Sequence, residues 1–159
     1  MFGLFKSSKT NPKIIYCPVK GKSIDLKDVK DDVFSTGMMG KGIAIIPEEG
    51  KVYSPCDGEV TMTFPTGHAL GIESVKGAEI LIHIGIDTVK MNGAGFDIKV
   101  QPGQKVKRGE LLIEFSIDEI KKAGFPPTTP VIITNPDEFP ALKPSEAGDK
   151  EVGDVIITL

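Results

Sequence analysis

The most constraining feature of this sequence is a run in which isoleucine occupies every second position. The alternating residues are Ile80, Ile82, Ile84 and Ile86. A repeat of two is the period of a β-strand with one buried face, so residues 79–89 are predicted to form a strand whose isoleucines point into the core. Alternation then sends four residues to the opposite face, namely Leu81, His83, Gly85 and Asp87.

Turn-forming residues are abundant in the rest of the chain. Eighteen glycines and twelve prolines in 159 residues favour many short strands over long helices. Further strands are predicted at residues 43–46, 51–53, 59–64, 97–100, 111–115, 131–134 and 155–159. The predicted fold is all-β, an antiparallel β-sandwich of jelly-roll or barrel-like form.

Helix is predicted in only two short places. Ser116 and Glu119 have the spacing of a capping box, and Gly124 can end that helix two turns later. Residues 26–29 can add one more turn. Half of the prolines lie within residues 126–144, which predicts an extended surface segment attached to the core by residues 131–134. Residues 1–15 are expected to be a flexible N-terminal segment, and residues 16–159 a single domain.

Composition excludes several classes of protein. The net charge is −3 with both signs interspersed, which is not the pattern of a nucleic-acid-binding surface. No apolar run approaches the roughly 20 residues that a membrane-spanning helix needs. Cys17 and Cys56 are the only cysteines, which indicates neither a disulfide framework nor a zinc knuckle. These features favour a cytoplasmic protein.

The only two histidines, His68 and His83, are fifteen residues apart. His83 is predicted to face outward or into a cleft, where Gly85 leaves room beside the imidazole and Asp87 supplies negative charge. A carboxylate or a backbone carbonyl could hold one ring nitrogen as N–H and free the other as a nucleophile. Thr66 could bond the ring of His68. Two paired histidines would suit phosphoryl transfer; spacing alone also allows two unrelated surface histidines.

Longer motifs around both histidines resemble a known family. They read Phe-Pro-Thr-Gly-His-Ala-Leu-Gly-Ile-Glu at residues 64–73 and Gly-Ala-Glu-Ile-Leu-Ile-His-Ile-Gly-Ile-Asp-Thr-Val at residues 77–89. Both are similar to the glucose-family enzyme IIA components of the phosphoenolpyruvate-dependent sugar phosphotransferase system. Residues 32–35, 39–45, 54–58 and 93–96 add to the resemblance, which runs from about residue 18 to the C-terminus. Asp32 departs from it, because several family members carry an apolar residue there.

The resemblance implies an antiparallel β-sandwich and a phosphotransferase role without a cofactor. His83 would carry the phosphoryl group on Nε2, His68 would support the phosphate, and Thr66 would orient His68. The implied donor is the histidine-containing phosphocarrier protein, and the implied acceptor is a cysteine on the enzyme IIB domain of a sugar permease. An implied docking face comprises Asp31, Val33, Phe34, Met38, Met39, Phe64, Leu81, Asp87 and Val89. No metal is required, although His68 and His83 could share a zinc ion with a partner's carboxylate.

Two other functions share some features of this sequence. Val89-Lys90-Met91 resembles the modified-lysine tripeptide of biotin and lipoate carrier domains, but the chain is about twice the length of such a module. A zinc peptidase of related sandwich architecture needs a further histidine, and Gly85 stands where the second member of a His-x-His pair would fall. The motifs therefore favour the phosphocarrier.

Overall fold

The computed structural model describes residues 9–159, and short β-strands dominate them. Each strand begins or ends near a glycine, a proline or a polar turn, as the composition predicts. The described strands are β1 (Ile14–Tyr16), β2 (Gly21–Asp25), β3 (Lys41–Pro47), β4 (Lys51–Tyr53), β5 (Gly58–Thr63), β6 (Ala69–Ser74), β7 (Glu79–His83), β8 (Phe96–Ile98), β9 (Lys105–Val106), β10 (Leu111–Phe115), β11 (Thr129–Ile133), β12 (Lys143–Pro144), β13 (Gly148–Lys150) and β14 (Val155–Thr158).

These strands form three sheets. The largest has eight strands in the order β13-β2-β3-β11-β7-β6-β5-β9, and two three-stranded sheets have the orders β1-β14-β12 and β4-β10-β8. All pairings between the described strands are antiparallel. The predicted all-β, antiparallel sandwich is confirmed. Within residues 9–159 the outer strands β13 and β9 do not pair with each other, so the large sheet does not close into a barrel.

The helices are short. They are α1 (Asp32–Ser35), α2 (Ile117–Lys122) and 3-10 turns at Leu26–Asp28, Thr88–Met91 and Pro136–Glu138. The predicted capping of α2 is confirmed, because the Glu119 amide donates to the Ser116 hydroxyl at 3.1 Å. Helix α1 was not predicted: it is a single turn, too short to show a periodicity. No helix within residues 9–159 is long and apolar enough to span a membrane.

The eight-stranded sheet is buried on both faces near its centre. Ile43 and Ile45 of β3 point into the main core, whereas Ala44 between them points into a second, smaller cluster. That cluster also contains Ile132 of β11 and Phe34 of α1. Burial of both faces explains why β3 and β11 are almost continuously apolar in sequence, without the alternation of a strand that has one wet face.

Strand β7 is shorter than predicted. It ends at His83, because Gly85 (φ 76°) and Asp87 (φ 62°) both adopt left-handed backbone conformations that no strand contains. The prediction that both lie on a strand face with His83 is therefore wrong. Ile84 and Ile86 are buried as predicted, but the turn sends Ile84 into the main core and Ile86 into the smaller cluster.

The proline-rich segment after residue 126 agrees with its prediction in part. The strand predicted at residues 131–134 is present as β11, and residues 134–144 are exposed or partly exposed. What was not predicted is the place of β11 inside the large sheet, between β3 and β7. Pro130 pairs with Ala44 of β3, but the ladder with β7 begins only at Val131, opposite Ile82. Because Pro130 has no N–H to continue that ladder, the next residue of β7, His83, has no β11 partner.

The N-terminal boundary lies earlier than predicted. Ile14 and Ile15 fall within the segment predicted to be flexible, yet they belong to β1 and pair with β14. Residues 1–8 of that segment lie outside the described residues. The sequence does not predict strands β2 and β6. Short polar residues interrupt β2, and β6 follows directly after the turn at Gly67. Both cysteines are free and buried.

A close approach of two backbones generates a prediction. A Cβ atom added at Gly42 of β3 would overlap the Val131 carbonyl oxygen of β11. Gly42→Ala should therefore lower the free energy of unfolding by about 2–3 kcal/mol, because backbone atoms at the centre of the sheet would have to separate. Urea denaturation measures this loss. The control variant Lys41→Ala, at the exposed neighbouring position, should change the free energy of unfolding by no more than about 0.5 kcal/mol. Equal losses in the two variants would contradict the role assigned to Gly42.

Candidate functional site

Strand pairing brings the two histidines together. Ala69, the first residue of β6, pairs with His83, the last residue of β7. One step further, the Ile84 amide donates to the His68 carbonyl at 2.7 Å. The two imidazole rings consequently meet edge to face, with centroids 5.0 Å apart and an interplanar angle of 81°. Residues fifteen positions apart in the chain therefore form one site on the outer face of the large sheet.

The ring of His83 is held by a backbone carbonyl. Its Nδ1 lies 2.7 Å from the carbonyl oxygen of Gly85. A carbonyl oxygen only accepts hydrogen bonds, so Nδ1 must carry the hydrogen. In the neutral imidazole this leaves the lone pair on Nε2, which makes Nε2 the nucleophilic atom. Of the two holders that the sequence allowed, carboxylate or carbonyl, the structure has the carbonyl.

The ring of His68 is held by a side chain. The hydroxyl of Thr66 lies 2.6 Å from Nδ1 of His68, as predicted from their spacing. Gly67 between them adopts φ 71°, and its amide donates to the Phe64 carbonyl to close the turn. This turn brings the Thr66 side chain back to the imidazole. The Nε2 atom of His68, like that of His83, is thus left for a ligand.

Aromatic rings enclose both imidazoles. The ring of Phe64 is centred 5.2 Å from that of His68, and Phe96 lies on another side with its centroid at 6.5 Å. Phe34 packs against His83 with a centroid separation of 5.2 Å. His68 is only 3% exposed, whereas His83 is half-buried. Of the two residues, His83 is therefore the more exposed to solvent.

Burial keeps both imidazoles neutral near pH 7. Removal from water is the main reason that the pKa of His68 is lowered to about 4, and the nearby His83 acts in the same direction. Burial also lowers the pKa of His83, although the Gly85 carbonyl and then the carboxylates of Asp31 and Asp87 oppose that shift. A neutral His83 is the form that has a free lone pair.

The predicted docking residues divide into an exposed group and a supporting group. Phe34 and Leu81 are buried, with 5% and 9% exposure, because Phe34 packs in the smaller cluster and Leu81 lies at the centre of the sheet. Phe34 therefore supports the exposed members from beneath, and Leu81 reaches the surface only as part of the lining of a cleft. Phe64 is half-buried. The exposed apolar members are Val33, Met38, Met39 and Val89.

A cleft that shares Phe64 with the surroundings of His68 adds a residue that the sequence did not single out. Its volume is about 220 Å³, and Met39, Phe64 and Leu81 contribute to its lining together with Met62. Met62 is 46% exposed. In the sequence Met62 is one more residue of a predicted strand, and only the pairing of β5 with β6, which lies next to β7, shows that its side chain extends this face.

Two acidic residues flank the site as predicted. The Asp31 side chain caps α1 by accepting from the Val33 amide at 2.8 Å, which holds the Val33–Phe34 turn beside His83. Asp87 is exposed and follows the loop that carries Gly85. Both carboxylates act on the pKa of His83, so a positive charge developing on its ring would be stabilised from two sides.

The geometry also bears on the two rival functions. Within residues 9–159, no cluster of three or more histidine, cysteine or acidic side chains could hold a metal ion. The paired imidazoles could supply at most two ligands, so a zinc ion here would need ligands from another molecule. The second rival, a biotin or lipoate carrier, would use Lys90 as its modified lysine. Lys90 lies in the 3-10 turn Thr88–Met91, and its backbone amide donates to the Asp87 carbonyl.

Comparison with known proteins shows which family the chain resembles over most of its length. The model of the family "phosphoenolpyruvate-dependent sugar phosphotransferase system, EIIA 1" matches residues 13–139. The glucose-specific EIIA component of Bacillus cereus is 46% identical over 143 residues, which are 90% of this chain and 86% of that protein. Glucose permease IIA from Mycoplasma capricolum superimposes with a TM-score of 0.84 at 35% identity, covering 94% of this chain and 96% of the other.

Some relatives are much longer. The β-glucoside-specific EIIBCA component of Bacillus subtilis is 48% identical over 147 residues, which are 92% of this chain but only 24% of that protein. The chain thus spans about a quarter of this multidomain relative and nearly the whole of the separate EIIA components. By its match to the family over most of its length, this chain belongs to the EIIA 1 family of the phosphoenolpyruvate-dependent sugar phosphotransferase system.

Proposed function

We propose that Nε2 of His83 accepts a phosphoryl group from the histidine-containing phosphocarrier protein and passes it to a cysteine of an EIIB domain in the cytoplasm. The hydrogen bond from His83 Nδ1 to the Gly85 carbonyl carries this proposal, because it leaves the lone pair on Nε2. The exposed side of the site is where a second protein can approach that atom.

The two transfers balance without a cofactor. In the first, the Nε2 lone pair of His83 forms a bond to phosphorus while the donor's phosphorus–nitrogen bond breaks and its electron pair returns to the donor. The His83 ring becomes more positive, and the Gly85 carbonyl, Asp31 and Asp87 stabilise that charge. In the second, a cysteine thiolate attacks phosphorus, and the electron pair of the breaking bond returns to Nε2.

His68 is proposed to donate a hydrogen bond to the phosphoryl oxygens. If the Thr66 hydroxyl donates to Nδ1 of His68, the ring hydrogen must reside on Nε2. Because His68 is neutral near pH 7, this arrangement supplies a fixed donor with little positive charge. A neutral donor stabilises the moving group without binding the phosphoryl group so strongly that onward transfer becomes slow.

One apolar face would have to serve both partners, since donor and acceptor need the same nitrogen atom. Met38, Met39 and Met62 contribute exposed, unbranched side chains to it. Methionine adapts its shape to different surfaces more readily than branched residues do. We therefore propose that this methionine-rich face forms small, short-lived contacts with each partner in turn.

The central test is to map the phosphorylated residue. His83→Gln, incubated with the general phosphotransferase proteins and labelled phosphoenolpyruvate, should take up no label, because the variant lacks the nucleophilic nitrogen. His68→Gln under the same conditions is the matched control and should be labelled on His83. Full labelling of the His83→Gln protein at His68 would reverse the two assignments, and labelling of neither variant nor wild type would contradict the proposed function.

Onward transfer should depend on His68 more than acceptance does. In phosphorylated His68→Gln, transfer to an EIIB domain should be about 10²–10³-fold slower than in the wild type, as when a transition-state hydrogen-bond donor is lost. A rapid-quench chase of the labelled protein with excess EIIB measures this rate. Transfer at the wild-type rate would remove His68 from the mechanism.

The docking face can be tested with a matched pair of exposed apolar residues. Met38 and Val75 are 74% and 66% exposed, but Val75 lies in the turn between β6 and β7 at the end of these strands away from His83. Met38→Asp should slow both transfers about tenfold or more, since it places a charge in an apolar contact near the phosphate. Val75→Asp should leave both rates and the melting temperature unchanged; equal slowing by both variants would argue against a localised face.

A further inference from the structure

The loop after β7 is held at three successive points along its backbone. The Ile84 amide donates to the His68 carbonyl at 2.7 Å, and the Ile86 amide donates to the Pro126 carbonyl at 3.0 Å. Between them, the Ile84 carbonyl accepts from the hydroxyl of Thr88. Only this middle contact is made by a side chain, and it fixes the peptide group that joins Ile84 to Gly85.

The side chain of Thr88 uses both of its branches on this loop. It is fully buried, its hydroxyl reaches the Ile84 carbonyl, and its methyl group would overlap with a Cβ atom added at residue 85. The Pro126 carbonyl oxygen would be 3.1 Å from that same Cβ. Gly85 is therefore enclosed by Thr88 and Pro126, with its own carbonyl directed at His83.

The peptide between Ile84 and Gly85 needs such a contact. Gly85 adopts φ 76°, but glycine populates negative φ about as readily as positive φ. Rotation of the preceding peptide plane is consequently not opposed by the residue itself. A rotated peptide would turn Gly85, and its carbonyl would leave Nδ1 of His83.

We propose that Thr88 is a positioning residue that holds the Gly85 carbonyl on Nδ1 of His83 and thereby sets the tautomer of the nucleophilic imidazole. The effect on phosphoryl transfer rests on the function proposed above; the effect on the tautomer does not. With the carbonyl withdrawn, Nδ1 loses its acceptor and the hydrogen redistributes to Nε2. A ring with hydrogen on Nε2 has no lone pair there to attack phosphorus.

The alternative is that Thr88 merely fills space. Two pairs of proteins separate these roles: Thr88→Val differs from the wild type chiefly by loss of the hydroxyl, and Thr88→Ala differs from Thr88→Ser by the hydroxyl alone. The readout is the pair of ¹⁵N chemical shifts of the His83 ring in the unphosphorylated protein above pH 7, where the imidazole is neutral. These shifts report the two tautomers directly, whereas lost packing without rotation of the peptide would not move them.

In the wild type and in Thr88→Ser, the shifts should show hydrogen on Nδ1. In Thr88→Val and Thr88→Ala, the ratio of Nδ1–H to Nε2–H tautomers should fall roughly tenfold, the effect of one ordinary hydrogen bond. The initial rate of phosphorylation should likewise be lower in Thr88→Val and Thr88→Ala than in the wild type and Thr88→Ser. If Thr88→Val fails to fold, the Ala and Ser pair still provides the comparison.

Ser54→Ala is the matched control. Ser54 is also buried, and its hydroxyl donates to the Cys56 carbonyl at 2.7 Å in a different part of the fold. The Ser54→Ala variant should leave the ¹⁵N chemical shifts of the His83 ring unchanged. Identical His83 tautomer ratios in the wild type, Thr88→Val and Thr88→Ala would overturn the inference, even if phosphorylation slowed. A tautomer change in a protein that is never phosphorylated at His83 would instead support the positioning role and contradict the proposed function.

Discussion

The pairing of β6 with β7 is the interaction on which the site depends. Its register places Ala69 opposite His83, and the bond from the Ile84 amide to the His68 carbonyl continues it for one more residue. A slip of one residue would turn one imidazole to the opposite face of the sheet. Because both strands bury apolar side chains in the main core, such a slip would also expose that core, so the same hydrophobic energy that folds the sheet aligns the histidines.

The site lies where the large sheet stops being regular. Pro130 ends the ladder between β11 and β7 just before His83, and Gly85 and Asp87 then turn the chain away with positive φ angles. A regular strand would have directed the Gly85 carbonyl into a ladder bond with its neighbour. The irregular loop instead directs the Gly85 carbonyl to Nδ1 of His83. A backbone dipole thus holds the imidazole without adding a full negative charge.

Electrostatics at the histidine pair fit the proposed carrier role better than permanent binding of phosphate. Burial lowers the pKa of both imidazoles, so neither provides a full positive charge near pH 7 to trap a phosphate. The carboxylates of Asp31 and Asp87 stabilise charge that develops on the His83 ring. The exposed side chains of Met38, Met39 and Met62 offer apolar contact of adaptable shape, which fits the proposed encounters with more than one protein.

The sequence by itself determined the fold class, the capped helix α2, the buried isoleucines and the pairing of Thr66 with His68, since each depends on periodicity or on contacts between near neighbours. The motifs also identified the family. Periodicity could not reveal that β7 ends at His83, because Ile84 and Ile86 remain buried on both sides of the turn. Nor could it place the proline-rich β11 at the centre of the sheet, assign Phe34 and Leu81 to the interior, or find Met62. Those features depend on which strands become neighbours and on what covers each face, and only the tertiary structure decides that.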